Sequence, residues 1–119
     1  MKRSETKLIH ITHAMPVETL NDLALTATGG VGYWAVQMRS PTSDANLGIW
    51  SQFEEDTGEP YGDPFTLDAD LIAKGIEACS KARPDIWHRF ATDVIDGSAD
   101  IDACDTIVQF GVFGELVYG

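Results

Sequence analysis

The chain of 119 residues has only two cysteines, few basic residues and no long apolar run. Cys79 and Cys104 have no neighbour at the spacing of a metal site or a redox motif. So few cysteines favour a reducing compartment, although a bond between the two is left open. The charged N-terminus is followed by an apolar stretch at residues 8–11 that is too short for a signal peptide. No segment approaches the roughly 20 apolar residues that cross a bilayer. The sequence therefore predicts a cytoplasmic protein.

Basic residues are scarce: 8 Lys and Arg stand against 19 Asp and Glu, which gives a formal net charge of −11 at pH 7. No basic residue lies between Arg39 and Lys74, and none follows Arg89. A charge of this sign and size repels phosphate backbones and anionic bilayers at long range. We therefore expect no direct binding to nucleic acid and none to a membrane.

The acidic residues are concentrated in two segments, the first acidic block (residues 54–70) and the second acidic block (residues 93–105). The carboxylates expected to form an acidic surface are Glu54, Glu55, Asp56 and Glu59 in the first block and Asp93, Asp96 and Asp100 in the second. Such blocks keep a protein in solution and favour helix starts, and they can also imitate a phosphate track that occupies a nucleic-acid-binding protein. The second block lacks the register of a calcium loop, so we expect no metal and no cofactor.

The hydrophobic pattern predicts a single α+β domain over residues 1–119. In it, a small antiparallel sheet of about three strands packs against one N-terminal helix and three C-terminal helices. The strands are expected at residues 7–12, 33–38 and 47–53, and the last two are expected to pair as a hairpin. Residues 54–64 are dense in Gly, Pro and Asp, which predicts a loop.

The C-terminal helices are predicted from their caps and apolar faces. Thr66 is the expected N-cap of the first of them, and Ser98 is the expected N-cap of the last. The last helix is predicted from about residue 99 to near residue 118, and its second half is apolar almost all round, as in a central helix. Gly111 and Gly114 lower helix stability, so close packing of another element is the natural reason for them.

One polar stripe and three aromatic residues are the candidates for binding a ligand or a partner. Asp102, Asp105 and Gln109 occur at i, i+3 and i+7 of the last helix and share one face, which is either solvated or lines a pocket. Neighbouring strand residues point to opposite faces, so we expect one of Tyr33 and Trp34 in the core and the other exposed or in a cleft. Trp50, on the partner strand, could stack beside it, although core packing is the favoured role for most of these aromatics.

No pattern designates a catalytic residue. Residues 29–32 (Gly-Gly-Val-Gly) join a helix to a strand, whereas the glycines of a dinucleotide fingerprint follow a strand and open a helix. The sequence shows no nucleophile elbow and no phosphate loop, and His10, His13 and His88 lack metal spacing. We therefore expect a binding protein, with a small enzyme of unknown reaction as the least favoured alternative.

Two motifs carry a family resemblance: Gly29-Gly30-Val31-Gly32-Tyr33-Trp34 and the C-terminal Phe113-Gly114-Glu115-Leu116-Val117-Tyr118-Gly119. Together they resemble a family of small bacteriophage and prophage proteins with an early Gly-Gly-x-x-Tyr-Trp segment and a final Phe-Gly-Glu-x-x-Tyr-Gly sequence. An acid often precedes the glycine pair in that pattern, whereas this chain has Thr28. The resemblance implies a phage origin, action inside the host cell and stoichiometric binding in preference to catalysis.

Two binding hypotheses follow. In the first, the acidic blocks bind and inhibit a host defence factor that has a basic nucleic-acid-binding surface. In the second, the protein is a sponge that sequesters a nucleotide-like signalling molecule between the last helix and the sheet, often at a dimer interface. The polar stripe would then read ribose or base edges, the aromatic residues would stack on the base, and Arg39 or Arg89 would neutralise an anionic ligand. The sequence leaves the oligomeric state open.

Overall fold

The computed structural model describes residues 15–119, which form four helices and one three-stranded antiparallel sheet. In chain order the elements are α1 (Val17–Thr28), β1 (Ala35–Arg39), β2 (Asn46–Phe53), β3 (Pro60–Asp68), α2 (Ala69–Ala82), α3 (Pro84–Asp96) and α4 (Ile101–Phe113). This arrangement confirms the predicted α+β fold class. The strand predicted at residues 7–12 lies outside the described residues. None of the four described helices is long and apolar enough to cross a membrane.

The sheet has the order β1-β2-β3, and both neighbouring pairs are antiparallel. The predicted hairpin is confirmed as β1 and β2, with Ala35 opposite Gln52. The loop prediction for residues 54–64 is wrong in its second half, because β3 begins at Pro60 and pairs with β2 as an edge strand. Residues 54–59 make the connecting turn.

A bulge in β3 explains why this strand has the composition of a loop. Trp50 pairs with Phe65 and Gln52 pairs with Tyr61, so three residues of β3 lie opposite a single residue of β2. Gly62 supplies the positive φ of 75° within this bulge. Proline is tolerated in an edge strand at such an irregularity, which accommodates Pro64.

Two predicted helix caps are wrong by two residues each. Thr66 lies in β3, and the N-cap of α2 is Asp68, whose carboxylate accepts a hydrogen bond from the backbone N–H of Leu71 at 2.9 Å. The N-cap of α4 is Asp100 instead of Ser98, and its carboxylate accepts from the Ala103 N–H at 2.9 Å. An aspartate caps a helix at least as well as serine or threonine, and its charge is favoured by the helix dipole.

Helix α4 is the central helix, as predicted, but it ends at Phe113 instead of near residue 118. Its C-terminal half is buried on nearly all sides, and close approach to α2 is made through two glycines. A Cβ on Gly75 of α2 would lie 2.0 Å from the Ile107 carbonyl oxygen, and one on Gly111 of α4 would lie 2.7 Å from the Leu71 carbonyl oxygen. The packing role predicted for Gly111 is therefore confirmed.

Gly114 has a different role from the one predicted. No atom lies within 4 Å of the position that a Cβ on it would take, and its φ is 75°. Gly114 ends α4 in the left-handed conformation that glycine adopts without steric cost. The chain then leaves the helix axis as the C-terminal tail (residues 114–119).

Candidate functional site

The polar stripe of α4 lies partly inside the protein. Asp105 is 7% exposed and Gln109 is fully buried, whereas Asp102 is exposed. The Asp105 carboxylate accepts three hydrogen bonds: from the Tyr33 hydroxyl at 2.6 Å, from the Trp34 indole N–H at 2.7 Å and from the Gln109 amide at 3.2 Å. A buried carboxylate without a basic partner needs such donors, because losing water destabilises its charged form.

Gln109 connects this carboxylate to the C-terminal tail. Its side-chain oxygen accepts from the backbone N–H of Val117 at 2.9 Å and of Tyr118 at 2.7 Å. Its amide nitrogen lies 3.3 Å from the Tyr118 carbonyl oxygen. We call Tyr33, Trp34, Asp105, Gln109 and Tyr118 the Asp105–Gln109 network. One buried glutamine thus satisfies the backbone of an irregular segment that has no regular partner of its own.

Aromatic stacking holds the same tail from the other side. The Trp34 ring stacks on Tyr118 with centroids 5.3 Å apart and planes 9° apart, and it also contacts Phe65 and Phe113 at 5.7 and 5.4 Å. The Tyr118 hydroxyl lies 2.8 Å from the Gln52 amide and 3.1 Å from the Tyr61 hydroxyl. The tail is therefore attached to the sheet as well as to α4.

The glycines of the two motifs make room for this arrangement. A Cβ on Gly30 would lie 2.6 Å from the Ile101 side chain and 2.9 Å from its carbonyl oxygen. The segment after α1 can therefore lie directly against the start of α4. A Cβ on Gly119 would lie 2.9 Å from the Tyr33 hydroxyl oxygen. Although they are far apart in sequence, the two motifs meet in one place.

The neighbouring residues Tyr33 and Trp34 differ in exposure as predicted, but they do not lie on opposite faces of a strand. Trp34 is 1% exposed and Tyr33 is 53% exposed. Both precede β1 and lie in a turn in which the Trp34 and Ala35 N–H groups donate to the Val31 carbonyl oxygen. The turn lets both polar tips reach one carboxylate, which the opposite faces of a strand would not allow.

Trp50 lies apart from this network. It is 8% exposed, and its indole N–H donates to the Leu47 carbonyl oxygen at 3.1 Å. The stacking partners of Trp34 are Phe65, Phe113 and Tyr118. Trp50 is therefore part of the core, in agreement with the core packing favoured for most of these aromatics.

The electrostatics of the network suit a structural role. Burial, together with the hydrogen bond to the Asp105 carboxylate, raises the pKa of Tyr33 to about 12. The Tyr33 hydroxyl is therefore held as a proton donor at neutral pH. The Gln109 amide and the Trp34 indole N–H are likewise committed to partners within the chain. An incoming nucleotide would have to break these bonds to be read by the same groups.

The sequence pattern does not predict the contacts that three residues make where the tail meets the sheet: Tyr118, Tyr61 and Gln52. The apolar pattern predicts a helix to near residue 118, which hides the reversal of Tyr118 towards the sheet. The available signal was Gly114: a glycine just past an apolar helical run is typical of a C-terminal cap, and an aromatic residue after such a cap tends to fold back onto the core.

The acidic surface residues are placed in two regions. Glu54, Glu55, Asp56 and Glu59 occupy the turn between β2 and β3 and are all exposed. In this turn the Glu54 N–H donates to the Glu59 carbonyl oxygen at 2.8 Å, and the Gly58 N–H donates to the Glu54 carbonyl oxygen at 2.7 Å. The turn therefore presents its carboxylates on an internally hydrogen-bonded backbone.

The second acidic block lies where α3 ends and α4 begins. Asp93, Asp96, Asp100 and Asp102 are exposed there, and Asp100 also caps α4. The two ion pairs among residues 15–119 are Lys81–Glu77 and Arg83–Asp85, at 3.0 and 2.8 Å. Within the described part of the chain, no carboxylate of either block is paired with a basic side chain.

A cleft of about 340 Å³ separates α3 from the first turns of α4, and the tail closes one side of it. Its apolar lining consists of Ile86, Phe90, Ala103 and Leu116, and its polar lining consists of Arg89, Asp93, Asp100, Asp102 and Thr106. Second-block carboxylates and apolar side chains therefore border the same depression.

The remaining candidate groups are the cysteines and the histidines. Both thiols are free and buried, and burial raises the pKa of Cys79 to about 11 and that of Cys104 to about 12, which keeps them protonated at neutral pH. No group of three His, Cys, Asp or Glu side chains within residues 15–119 is arranged to hold a metal ion. His88 is exposed on α3, whereas His10 and His13 lie outside the described residues.

Comparisons of the chain with protein-family models, with curated proteins and with solved structures gave no significant match.

Proposed function

We propose that this protein is a small acidic accessory protein of phage origin that acts by stoichiometric binding inside the host cell. Its acidic surfaces occupy the basic, nucleic-acid-binding surface of a host defence factor and thereby inhibit it. The observation that carries this proposal is the state of the acidic blocks. The seven surface carboxylates, of Glu54, Glu55, Asp56, Glu59, Asp93, Asp96 and Asp100, are exposed and lack basic partners within residues 15–119.

Unpaired carboxylates favour association with a basic partner for two reasons. Among residues 15–119, they form no ion pair that has to be broken when they meet a cationic surface, so desolvation is the main term that opposes their attraction. Several like charges close together also create a field that raises the rate of encounter. Residues 40–73, which include the β2–β3 turn, contain no Lys or Arg that would weaken this field from within the segment.

Backbone order at both blocks adds to the argument. The β2–β3 turn is hydrogen-bonded internally, and the second block is fixed by the end of α3 and the cap of α4. Groups that are already positioned lose less conformational entropy on binding than groups on a flexible segment. Asp105 and Gln109 of the polar stripe, by contrast, are committed to the Asp105–Gln109 network, so the surface carboxylates are the groups available to bind.

The test is capture from a host lysate with the purified, immobilised chain at low and high salt, for example about 50 mM and about 500 mM NaCl, between which screening increases severalfold. We expect captured proteins to bind nucleic acid, to be released by the higher salt and to be displaced by double-stranded DNA. Reconstitution with the purified partner should show equimolar binding and loss of its DNA binding.

Matched variants separate the acidic blocks from net charge. The test variant carries Glu54→Gln, Glu55→Gln and Asp56→Asn, and the control variant carries Glu18→Gln, Asp22→Asn and Asp44→Asn, which remove the same charge elsewhere. We expect the test variant to bind the partner at least about tenfold more weakly than the control. Equal weakening by both variants, or capture that is insensitive to salt, would refute the proposal.

A further inference from the structure

We propose that the cleft between α3 and α4 is a docking site for a basic, amphipathic helical segment of a protein partner, and that it takes one apolar side chain of that segment. The inference rests on the proposed function, because it names the feature of the partner that the second acidic block recognises. It adds that recognition there includes an apolar anchor as well as charge.

The shape of the cleft fits a single apolar side chain. Its volume of about 340 Å³ falls at the lower end of the range of ligand pockets, which is enough for a large side chain and too small for an extended ligand. Ile86 and Phe90 are one turn apart on α3 and contribute to its apolar surface. Leu116 lies on the tail side and is 40% exposed. Burial of such apolar surface by a partner side chain is favourable.

The charge around the cleft favours a basic segment. Asp93, Asp100 and Asp102 border it, and Arg89 is the only basic residue among the residues that line it. Carboxylates around an apolar depression complement Lys or Arg residues that flank an apolar residue, as on an amphipathic basic helix. A membrane or a nucleic acid would bring negative charge to this rim and be repelled.

The C-terminal tail places Leu116 in the wall of the cleft. Gln109 holds the N–H groups of Val117 and Tyr118, the two residues that follow Leu116. Trp34 holds the Tyr118 ring. The contacts between the two motifs therefore fix the position of Leu116, the one motif residue that lines the cleft.

The experiment uses a fluorescent helical peptide of Leu and Lys, about 15 residues long so that a helix can form, and a second peptide in which every Leu is replaced by Ala. Leu116→Ser is the test variant. Val117→Ser is the matched control, because Val117 is adjacent and 50% exposed but does not line the cleft. Binding is measured by fluorescence anisotropy at low salt, after circular dichroism has shown that both variants are folded.

We expect the Leu–Lys peptide to bind at least about fivefold more weakly to Leu116→Ser than to Val117→Ser. The Ala–Lys peptide should bind more weakly to the unmodified chain and should not distinguish the two variants. Chemical-shift mapping on the unmodified chain should place the Leu–Lys peptide against Phe90 and Ala103, which tests the site even if a variant fails to fold.

Two results would overturn the inference. If the Leu–Lys and Ala–Lys peptides bind equally well, or if both variants weaken binding equally, the anchor in the cleft is refuted, while charge-driven binding through the acidic blocks stands. If neither peptide binds at low salt, the attraction on which the proposed function rests is itself refuted. The two failures are therefore distinguishable.

Discussion

Replacing Gln109 by leucine should release the C-terminal tail and destabilise the fold. Leucine keeps most of the buried apolar volume but supplies neither a donor nor an acceptor. The N–H groups of Val117 and Tyr118 would lose the oxygen that accepts from both, at 2.9 and 2.7 Å. The Asp105 carboxylate would lose one of its three donors inside the protein.

The magnitude can be estimated from these contacts. Each of the two short bonds to the glutamine oxygen contributes about 1 kcal/mol net, and the bond to the carboxylate contributes somewhat more. Loss of the Trp34–Tyr118 stacking adds about 1 kcal/mol. Because the freed tail can hydrogen-bond to water, part of this loss is offset, and we expect the free energy of unfolding to fall by about 2–4 kcal/mol.

Urea unfolding followed by circular dichroism measures this change, and amide hydrogen exchange localises it. The amides of Val117 and Tyr118 should exchange much faster in Gln109→Leu, while those in the centre of α2 keep their relative protection. Gln37→Leu, at an exposed glutamine of β1, is the control and should stay within about 0.5 kcal/mol of the unmodified chain. If Gln109→Leu were as stable as this control, or if tail exchange were unchanged, the structural role of the network would be refuted.

Three further changes test the packing, the buried carboxylate and the thiols. Gly75→Ala should lower the free energy of unfolding by about 2 kcal/mol or more in urea titrations, because its Cβ would lie 2.0 Å from the Ile107 carbonyl oxygen; an increase, as helix propensity alone would give, would contradict this. Asp105→Asn should cost about 1 kcal/mol and Asp105→Leu about 3 kcal/mol, because asparagine still accepts from the indole while leucine leaves buried donors unpaired; equal losses in urea titrations would argue against the network. Burial raises the pKa of Cys79 and Cys104 to about 11 and 12 from an ordinary 9.0, so the folded state holds these protons more tightly. Stability should therefore be retained below pH 9.0 and fall as the pH rises towards 12, and thermal melts of Cys104→Ala should show a weaker fall.

The sequence predicts the elements in which one hydrophobic periodicity dominates. It does not predict an element in which turn-forming residues lie inside a regular strand. Helix α1 and the β1–β2 hairpin follow from the spacing of their apolar residues. Strand β3 was missed because Gly62 and Pro64 are turn residues by composition, and only pairing with β2 turns them into a bulge. Local composition cannot reveal a bulge whose partner is another strand.

The candidate site shows the same limit at the level of side chains. The spacing of Asp105 and Gln109 is identical for groups that line a pocket and for groups that hold another part of the chain, so periodicity alone could not decide between the two. The deciding fact is that Gly114 ends α4 and turns the tail back over the stripe. That contact joins residues from three separate segments, and no spacing along one helix encodes it.

The placement of the two motifs also bears on where function lies. Most of their polar and aromatic groups already contact other groups of the chain, where they hold the tail to α4 and to the sheet. A partner would therefore form few new contacts with them. Leu116 and the carboxylates of Asp93, Asp100 and Asp102 differ, since these side chains are exposed and the three carboxylates have no basic partner among residues 15–119. If the other motif residues serve to hold the tail, then substitutions of them should weaken binding only as far as they move Leu116. Substitutions at the cleft and the β2–β3 turn should weaken binding without unfolding the chain.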